Sequence, residues 1–173
     1  MNYLVGDIGN TLTKLSILNH NFRIKKIFNI ETKKILKGNL KGTVINKILK
    51  KKFSKNILFS SVVPKAFNII KSHLKKKNFK VLEIKDLKIK DILKIKIKNY
   101  KQLGSDRISN AIGSLKYKNC LIIDFGTATT FDIIKGGVYD GGVISPGIDL
   151  SILNLNKSTA LLPLIKLKVE IKI

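Results

Sequence analysis

Asn119-Cys120-Leu121-Ile122-Ile123-Asp124-Phe125-Gly126-Thr127-Ala128-Thr129-Thr130-Phe131-Asp132 is the stretch whose reading decides the rest of the chain. Four apolar residues, Cys120 to Ile123, run into Asp124 and Gly126, which predicts a buried strand entering a tight turn. Apolar residues resume at Phe131, Ile133 and Ile134, so the chain is expected to return as a second strand. Gly126 lets backbone approach a ligand closely, and consecutive N–H groups in such a turn make an anion-binding hollow. The hydroxyls of Thr127, Thr129 and Thr130 add donors. A carboxylate at the strand end can hold a cation that travels with phosphate.

The chain opens with the same device. Tyr3-Leu4-Val5 precedes Asp7, Gly9, Asn10, Thr11 and Thr13, and Leu15, Ile17 and Leu18 then return. Two copies of Asp-x-Gly-(Asn/Thr) with a returning strand point to duplicated halves that face each other. A nucleotide gripped between two phosphate hairpins is the arrangement of the actin, Hsp70 and sugar-kinase superfamily, which this pattern resembles.

Between the hairpins the spacing predicts a third strand near residues 23–29, a loop at 38–42 and a helix through Val44, Ile45, Ile48, Leu49 and Phe53. A strand over 56–63 stops at Pro64, which suits the first turn of a helix over Ala66, Phe67, Ile69, Ile70 and Leu74. A strand over 79–84 follows, and residues 86–98 alternate Ile or Leu with Lys like a strand with one wet face. Residues 104–116 read as a helix with Ile108, Ala111, Ile112 and Leu115 on one side. After the second hairpin come a tight turn at Gly136-Gly137, a glycine-rich passage from Gly141 to Gly147 and a helix near 148–158. The final segment, 164–173, alternates apolar and charged residues and stops in mid-pattern.

Composition excludes several classes. The chain has 173 residues, 44% of them hydrophobic and 7% aromatic, which suits a folded globular protein. The net charge of +23 suggests a nucleic-acid binder. Yet among 34 basic residues only Arg23 and Arg107 are arginine, and base reading favours arginine while phosphate tracking favours a clustered stripe. Lysine, isoleucine and asparagine rising together match an A+T-rich coding sequence, so no specific nucleic-acid partner is expected. One cysteine, Cys120, forms no internal disulfide and fits a reducing cytoplasm. It is expected to be a packed core thiol. No basic leader precedes a long apolar run at the N-terminus, and no run reaches the roughly 18 apolar residues of a membrane span. A cytoplasmic protein without a membrane partner is expected. His20 and His73 lack metal-ligand spacing and are expected in solvent.

A third cluster completes the chemistry. Leu103-Gly104-Ser105-Asp106-Arg107 sets an acid and a base side by side at a predicted helix start. Asp106 there is either a helix cap or a proton acceptor for a hydroxyl attacking phosphorus, with Arg107 and the helix N-terminus orienting an anionic substrate.

Together, Asp7-Ile8-Gly9-Asn10-Thr11, Ser61-Val62-Val63-Pro64, Leu103-Gly104-Ser105-Asp106-Arg107, Asp124-Phe125-Gly126-Thr127-Ala128-Thr129-Thr130 and Gly141-Gly142-Val143-Ile144-Ser145-Pro146-Gly147 resemble the type III pantothenate kinases in order and spacing. Thr159-Ala160-Leu161-Leu162-Pro163 is similar to that family as well, so the resemblance covers essentially the whole chain. It implies an α/β, actin-like (ribonuclease H-like) ATPase fold with two duplicated halves. The first, 1–116, would carry the N-terminal phosphate hairpin and the Asp-Arg site; the second, 117–173, would be incomplete at its C-terminal end. It also implies phosphoryl transfer from ATP to pantothenate, a homodimer, Mg²⁺ and a monovalent cation, potassium or ammonium.

Residue by residue, the resemblance implies that Asp7, Ile8, Gly9, Asn10, Thr11, Leu12, Thr13 and Lys14 hold the ATP phosphates, with Asp7 near Mg²⁺. Thr127 would contact ATP and Asp124 would bind the monovalent cation. Tyr100, Gly104, Ser105, Asp106 and Arg107 would bind pantothenate, with Asp106 as proton acceptor. The segment between Tyr100 and Gly104 is short and lacks the family's usual proline. Family members also run on past the position of Ile173 with residues that complete the pantothenate pocket and the dimer, so these 173 residues alone are expected to turn over slowly at most.

Overall fold

The computed structural model describes residues 1–38, 40, 44–49 and 52–166. It starts with a three-stranded meander: β1 (Tyr3–Ile8), β2 (Leu12–Leu18) and β3 (Ile24–Glu31) pair antiparallel in sequence order. Period-two alternation drives it, because Leu4, Gly6 and Ile8 of β1 and Thr13, Leu15 and Ile17 of β2 all turn inward. The register sets Asp7 opposite Lys14 across the hairpin.

Two short helices follow, α1 (Thr32–Leu36) and α2 (Val44–Ile48), and then β4 (Asn56–Ser61). α3 (Pro64–Lys75) begins on its proline, whose missing N–H costs nothing in a first turn. It buries Ala66, Phe67, Ile70 and Leu74 and leads into β5 (Lys80–Glu83). β4 joins β1 in parallel and β5 joins β4, giving a five-stranded sheet in the order β3-β2-β1-β4-β5. A cluster including Ile8, Ile35, Ile57, Phe59, Phe67 and Ile70 fills the space between this sheet and the helices.

The lysine-rich stretch after β5 departs from the strand expected over 86–98. A 3-10 turn at Ile84–Asp86, the helical turn α4 (Ile89–Ile92) and the two-residue β6 (Lys94–Ile95) stand there instead. The turn is held by reciprocal bonds: Glu83 accepts from the Lys85 N–H at 2.7 Å, and Asp86 accepts from the Glu83 N–H at 3.0 Å. Capping carboxylates and the burial of Ile84, Ile89 and Leu93 outweigh the alternation.

A 3-10 turn at Tyr100–Gln102 precedes α5 (Ser105–Gly113). Then comes a second meander: β7 (Cys120–Phe125), β8 (Ala128–Lys135) and β9 (Val138–Pro146), antiparallel in sequence order like the first. Gly136 and Gly137 turn β8 into β9 with φ of 59° and 75°, the left-handed region that glycine enters without strain. β9 continues as strand through the glycine-rich passage to Pro146, and α6 (Ile148–Ser158) follows. β6 adds in parallel to β9, so the second sheet runs β6-β9-β8-β7.

Each meander thus places a hairpin with an Asp-x-Gly turn at its start, as in the α/β actin-like fold. In the first sheet β1 is flanked by parallel β4. Its counterpart β7 has no such neighbour among the described residues, and Leu121, Ile123 and Phe125 on it are exposed. A second cluster, with Leu93, Leu103, Ile108, Ala111, Ile134 and Tyr139, ties α5 to the second sheet. Cys120 is a free, half-buried thiol against that cluster. His73, expected in solvent, is half-buried with Nε2 2.8 Å from Asn46 Oδ1. The alternating segment 164–173 falls largely on residues 167–173, outside the described residues.

Candidate active site

The two hairpin tips meet. Thr11 Oγ1 lies 2.9 Å from Thr127 Oγ1, although 116 residues separate them in sequence. Gly9 closes the first tip by donating its N–H to the Leu12 carbonyl at 3.0 Å. Thr32, just past β3, braces that tip from behind: its N–H donates to the Thr11 carbonyl at 2.9 Å and its hydroxyl to the Gly9 carbonyl at 2.7 Å. Thr32 Oγ1 also lies 3.0 Å from Thr13 Oγ1, both hydroxyls being buried. In the second tip the Gly126 N–H donates to the Ala128 carbonyl at 3.1 Å, and the Gly147 N–H donates to the Thr127 carbonyl at 3.1 Å.

A cavity of about 280 Å³ opens at this junction. Asp7, Asp106 and Asp124 line it with Lys14, Thr11 and Thr127, so three carboxylates from three separate motifs share one space. A second hollow of about 750 Å³ is lined by the same three carboxylates together with Phe22, Phe59 and Ile112. Asp7 opens onto the cavity at the end of β1, with protein atoms crowding its other sides. That desolvation pushes its carboxyl above the usual carboxylate range, Lys14 pulls it back, and Asp106 and Asp124 push in the same direction as the burial.

α5 distributes three side chains by its period. Asp106 faces the cavity, its Oδ1 accepting from the Arg107 N–H at 2.8 Å. A Cβ at Gly104 would meet that carboxylate oxygen, so a larger residue there would displace the Asp106 side chain. Asn110, one turn on, donates to Asp124 Oδ2 at 2.9 Å. Arg107 points the other way: its Nε donates to Asp132 Oδ1 at 2.8 Å, with Nη2 2.6 Å from the same oxygen.

The structure therefore brings together Asp7, Gly9, Asn10, Thr11, Leu12, Lys14, Asp106, Asp124 and Thr127 around one cavity. Ile8 and Thr13 are buried behind the first tip, and Ser105 is buried at the start of α5. Tyr100 is not brought in. It lines a different hollow with Lys85, Leu87 and Ile89, its ring 4.8 Å beneath the Lys90 ammonium. Sequence reading passed over Thr32, Asn110, Asp132 and Tyr139. Asp132 alone carried a signal: a carboxylate at an inward position of β8, between Thr130 and Ile134.

The donor set fits a magnesium–polyphosphate better than a preformed metal cage. Among the described residues no cluster of three or more metal-ligating side chains is drawn together. Mg²⁺ is commonly held by one or two carboxylates plus substrate phosphate oxygens and water, and Asp7 suits that mode. Thr130 lines the same cavity, and its hydroxyl is buried without a hydrogen-bond partner.

Residues 3–172 match the family model described as "Type III pantothenate kinase". The chain is 46% identical over 168 residues to a type III pantothenate kinase of Pelagibacter ubique, covering 95% of this chain and 67% of the relative. It is 37% identical over 178 residues to one from Fervidobacterium nodosum, again covering 95% and 67%. The chain thus spans about two thirds of the length of the curated relatives it matches. Among solved structures, the ethanolamine utilization protein EutJ of Carboxydothermus hydrogenoformans superposes with a TM-score of 0.51 at 13% identity, covering 91% of this chain and 57% of that one. That likeness supports the fold alone.

Proposed function

The chain belongs to the type III pantothenate kinase family, and we propose that its three-carboxylate cavity transfers the γ-phosphoryl group of ATP to the terminal hydroxyl of pantothenate, the first committed step toward coenzyme A. The observation that carries this reading is the meeting of Asp7, Asp106 and Asp124 with both hairpin tips around one cavity. Phosphoryl transfer is mainly positioning and charge neutralisation, so it needs donors, cations and one aligned acceptor and no covalent nucleophile.

In this reading the first tip, Asp7 to Lys14, and Thr127 of the second tip grip the ATP phosphates. Lys14, paired with Asp7 across the β1–β2 hairpin, offsets charge on Asp7 and on the phosphates. Three carboxylates in one cavity repel one another, and cations relieve that repulsion. Mg²⁺ beside Asp7 would neutralise the phosphate oxygens, and Asp124, steadied by Asn110, would bind potassium or ammonium. Asp106 accepts the proton of the attacking hydroxyl. Gly104, Ser105 and the N-terminus of α5 hold the acceptor, with Arg107 acting from behind them. Tyr100 is a substrate contact by family resemblance alone.

The halves 1–116 and 117–173 would then be the two jaws of a nucleotide clamp, although residues Ile84–Gly113 pack with the second sheet. We place the protein in the cytoplasm as a homodimer without specific nucleic-acid binding. No helix among the described residues is long and apolar enough to cross a membrane.

The reading is tested by acceptor choice. With the chain in molar excess over γ-labelled ATP and Mg²⁺, label should move to pantothenate. Sugars, glycerol and other small alcohols should stay unlabelled. Label on another alcohol would make the chain a kinase of different acceptor. Nucleotide binding without any transfer would make it a binding protein.

The cation assignment carries its own expectation. Asp124→Asn should flatten the dependence of transfer on potassium, because a neutral amide is a weaker ligand for a hard cation. Potassium is titrated against sodium at constant ionic strength. An unchanged potassium response would return Asp124 to a turn-forming role.

A further inference from the structure

Arg107 follows the proposed proton acceptor directly, yet its side chain lies away from the carboxylate cavity. It is 11% exposed, and its partner Asp132 is fully buried. The Arg107 Nε and Nη2 both approach Asp132 Oδ1, at 2.8 and 2.6 Å, and the Tyr139 hydroxyl donates to the same oxygen at 2.5 Å. Two hydrogen-bond donors, Arg107 Nε and the Tyr139 hydroxyl, thus share one buried carboxylate oxygen, with Nη2 in ion-pair contact beside them.

The strand register makes the room for this. Asp132 stands opposite Gly142, and Tyr139 pairs with Ile134 two residues further along β8. A Cβ on Gly142 would overlap the Phe131 carbonyl and come within 2.8 Å of Asp132 Oδ1. Space is therefore what requires glycine at this position, because Gly142 leaves the gap that the guanidinium fills. Burial disfavours the charged guanidinium, but its bond and attraction to Asp132 outweigh that, and the Arg107 pKa is raised. The Tyr139 hydroxyl is also pushed up, first by burial and then by Asp132. Both donors keep their protons throughout the neutral range.

We propose that Asp132, clamped by Tyr139, is a positioning residue that anchors Arg107 inside the second sheet and thereby sets the first turn of α5, which presents Asp106 to the cavity. The physical link is short. Arg107 is tied at its side chain to β8, and its backbone N–H donates to Asp106 Oδ1 at 2.8 Å. Fixing the arginine fixes the direction of that N–H and so the carboxylate that accepts it. A buried, multiply bonded pair of this kind favours one geometry over others. A 1 Å misplacement of a reacting group costs about 10²-fold in rate.

The inference rests on Asp106 being the proton acceptor, and its test separates the two. Tyr139→Phe is the informative variant, since it removes one bond and leaves the buried ion pair intact. Asp132→Asn strips the arginine of its counter-charge and serves as the stronger perturbation where it folds. Tyr139→Phe should keep the wild-type affinity for magnesium–ATP and lower the transfer rate about tenfold, with little change in half-saturating pantothenate. In an Asp106→Asn background the same change should cost nothing more, because residues acting through one another are not additive.

Amide exchange gives an answer independent of turnover. The Ile108 N–H, bonded to the Gly104 carbonyl at 3.1 Å, should exchange faster in Tyr139→Phe while Leu4 and Ile57 of the first sheet keep their protection. Unchanged exchange at Ile108, or an equal rise in both sheets, overturns the positioning role. So does a full tenfold loss added on top of Asp106→Asn. Absence of transfer in the wild type, with the exchange pattern as expected, would instead overturn the assignment of Asp106 and leave the anchor standing.

Discussion

Asp106→Asn is expected to slow phosphoryl transfer by about 10²–10⁴-fold, the usual contribution of a positioned general base. The amide keeps the size of the side chain and can still accept the Arg107 N–H through its oxygen. It cannot take the proton that leaves the attacking hydroxyl. The lost interaction exists in the transition state and hardly at all in the nucleotide complex, so the affinity for magnesium–ATP should be almost unchanged. Removing a carboxylate from beside Asp7 and Asp124 relieves repulsion, which favours nucleotide binding if anything. Single-turnover transfer from labelled ATP, paired with a nucleotide titration, reads both quantities. A loss smaller than about fivefold would make Asp106 a first-turn helix residue and no more.

Gly147→Ala should disable the second hairpin tip. Gly147 precedes α6 with φ −65° and ψ 163°, a conformation open to any residue, so backbone freedom is not what requires glycine there. Space is. A Cβ would overlap the Gly126 and Thr127 carbonyls, backbone atoms that cannot rotate away as a side-chain end could. The turn must move, and with it Thr127 and the contact to Thr11. Overpacking of this kind costs about 1–3 kcal/mol, and a displaced phosphate grip should weaken nucleotide binding at least tenfold on the scale of a 1 Å misplacement. Gly113→Ala is the control. It is the last residue of α5 with nothing within 4 Å of the added carbon, so the variant should fold and melt like the parent. Thermal melts and nucleotide titrations of the two variants compare directly. Unaltered affinity in Gly147→Ala would show that α6 and the second tip move independently.

The strength of the sequence signal followed the kind of physics behind each element. The hairpin at Asp7 was legible because period-two burial, a turn glycine and a strand-end carboxylate all agree within a dozen residues; the one at Asp124 shows the same turn, but β7, expected to be buried, has no buried residue. Pro64 marked a helix start for a local steric reason. Residues 86–98 misled because Ile-Lys alternation suits a strand, while the deciding groups, the Glu83 and Asp86 carboxylates, act through bonds to backbone N–H groups. The continuation of β9 to Pro146 was hidden by its glycines, which usually weaken strands; Gly142 instead makes room for Arg107.

The candidate site divides the same way. Residues that line the cavity sit in short motifs and could be found there. Residues that hold those motifs do not. Thr32 reaches back across 23 residues to the Gly9 carbonyl. Asn110 crosses 14 to Asp124 and Arg107 crosses 25 to Asp132, separations that only the folded chain reveals. Arg107 illustrates the difference: its position beside Asp106 suggested a hand on the substrate, and the fold turns its guanidinium inward.

The most direct test is a crystal structure of the chain with magnesium, a non-hydrolysable ATP analogue and pantothenate. The triphosphate should lie between Gly9–Thr11 and Gly126–Thr127, with Mg²⁺ beside Asp7. The terminal hydroxyl of pantothenate should stand about 2.6–3.2 Å from the Asp106 carboxylate, the reach of a general base. A nucleotide bound away from the two tips, or an acceptor hydroxyl out of reach of Asp106, would contradict a phosphoryl-transfer site at the junction of the three carboxylates.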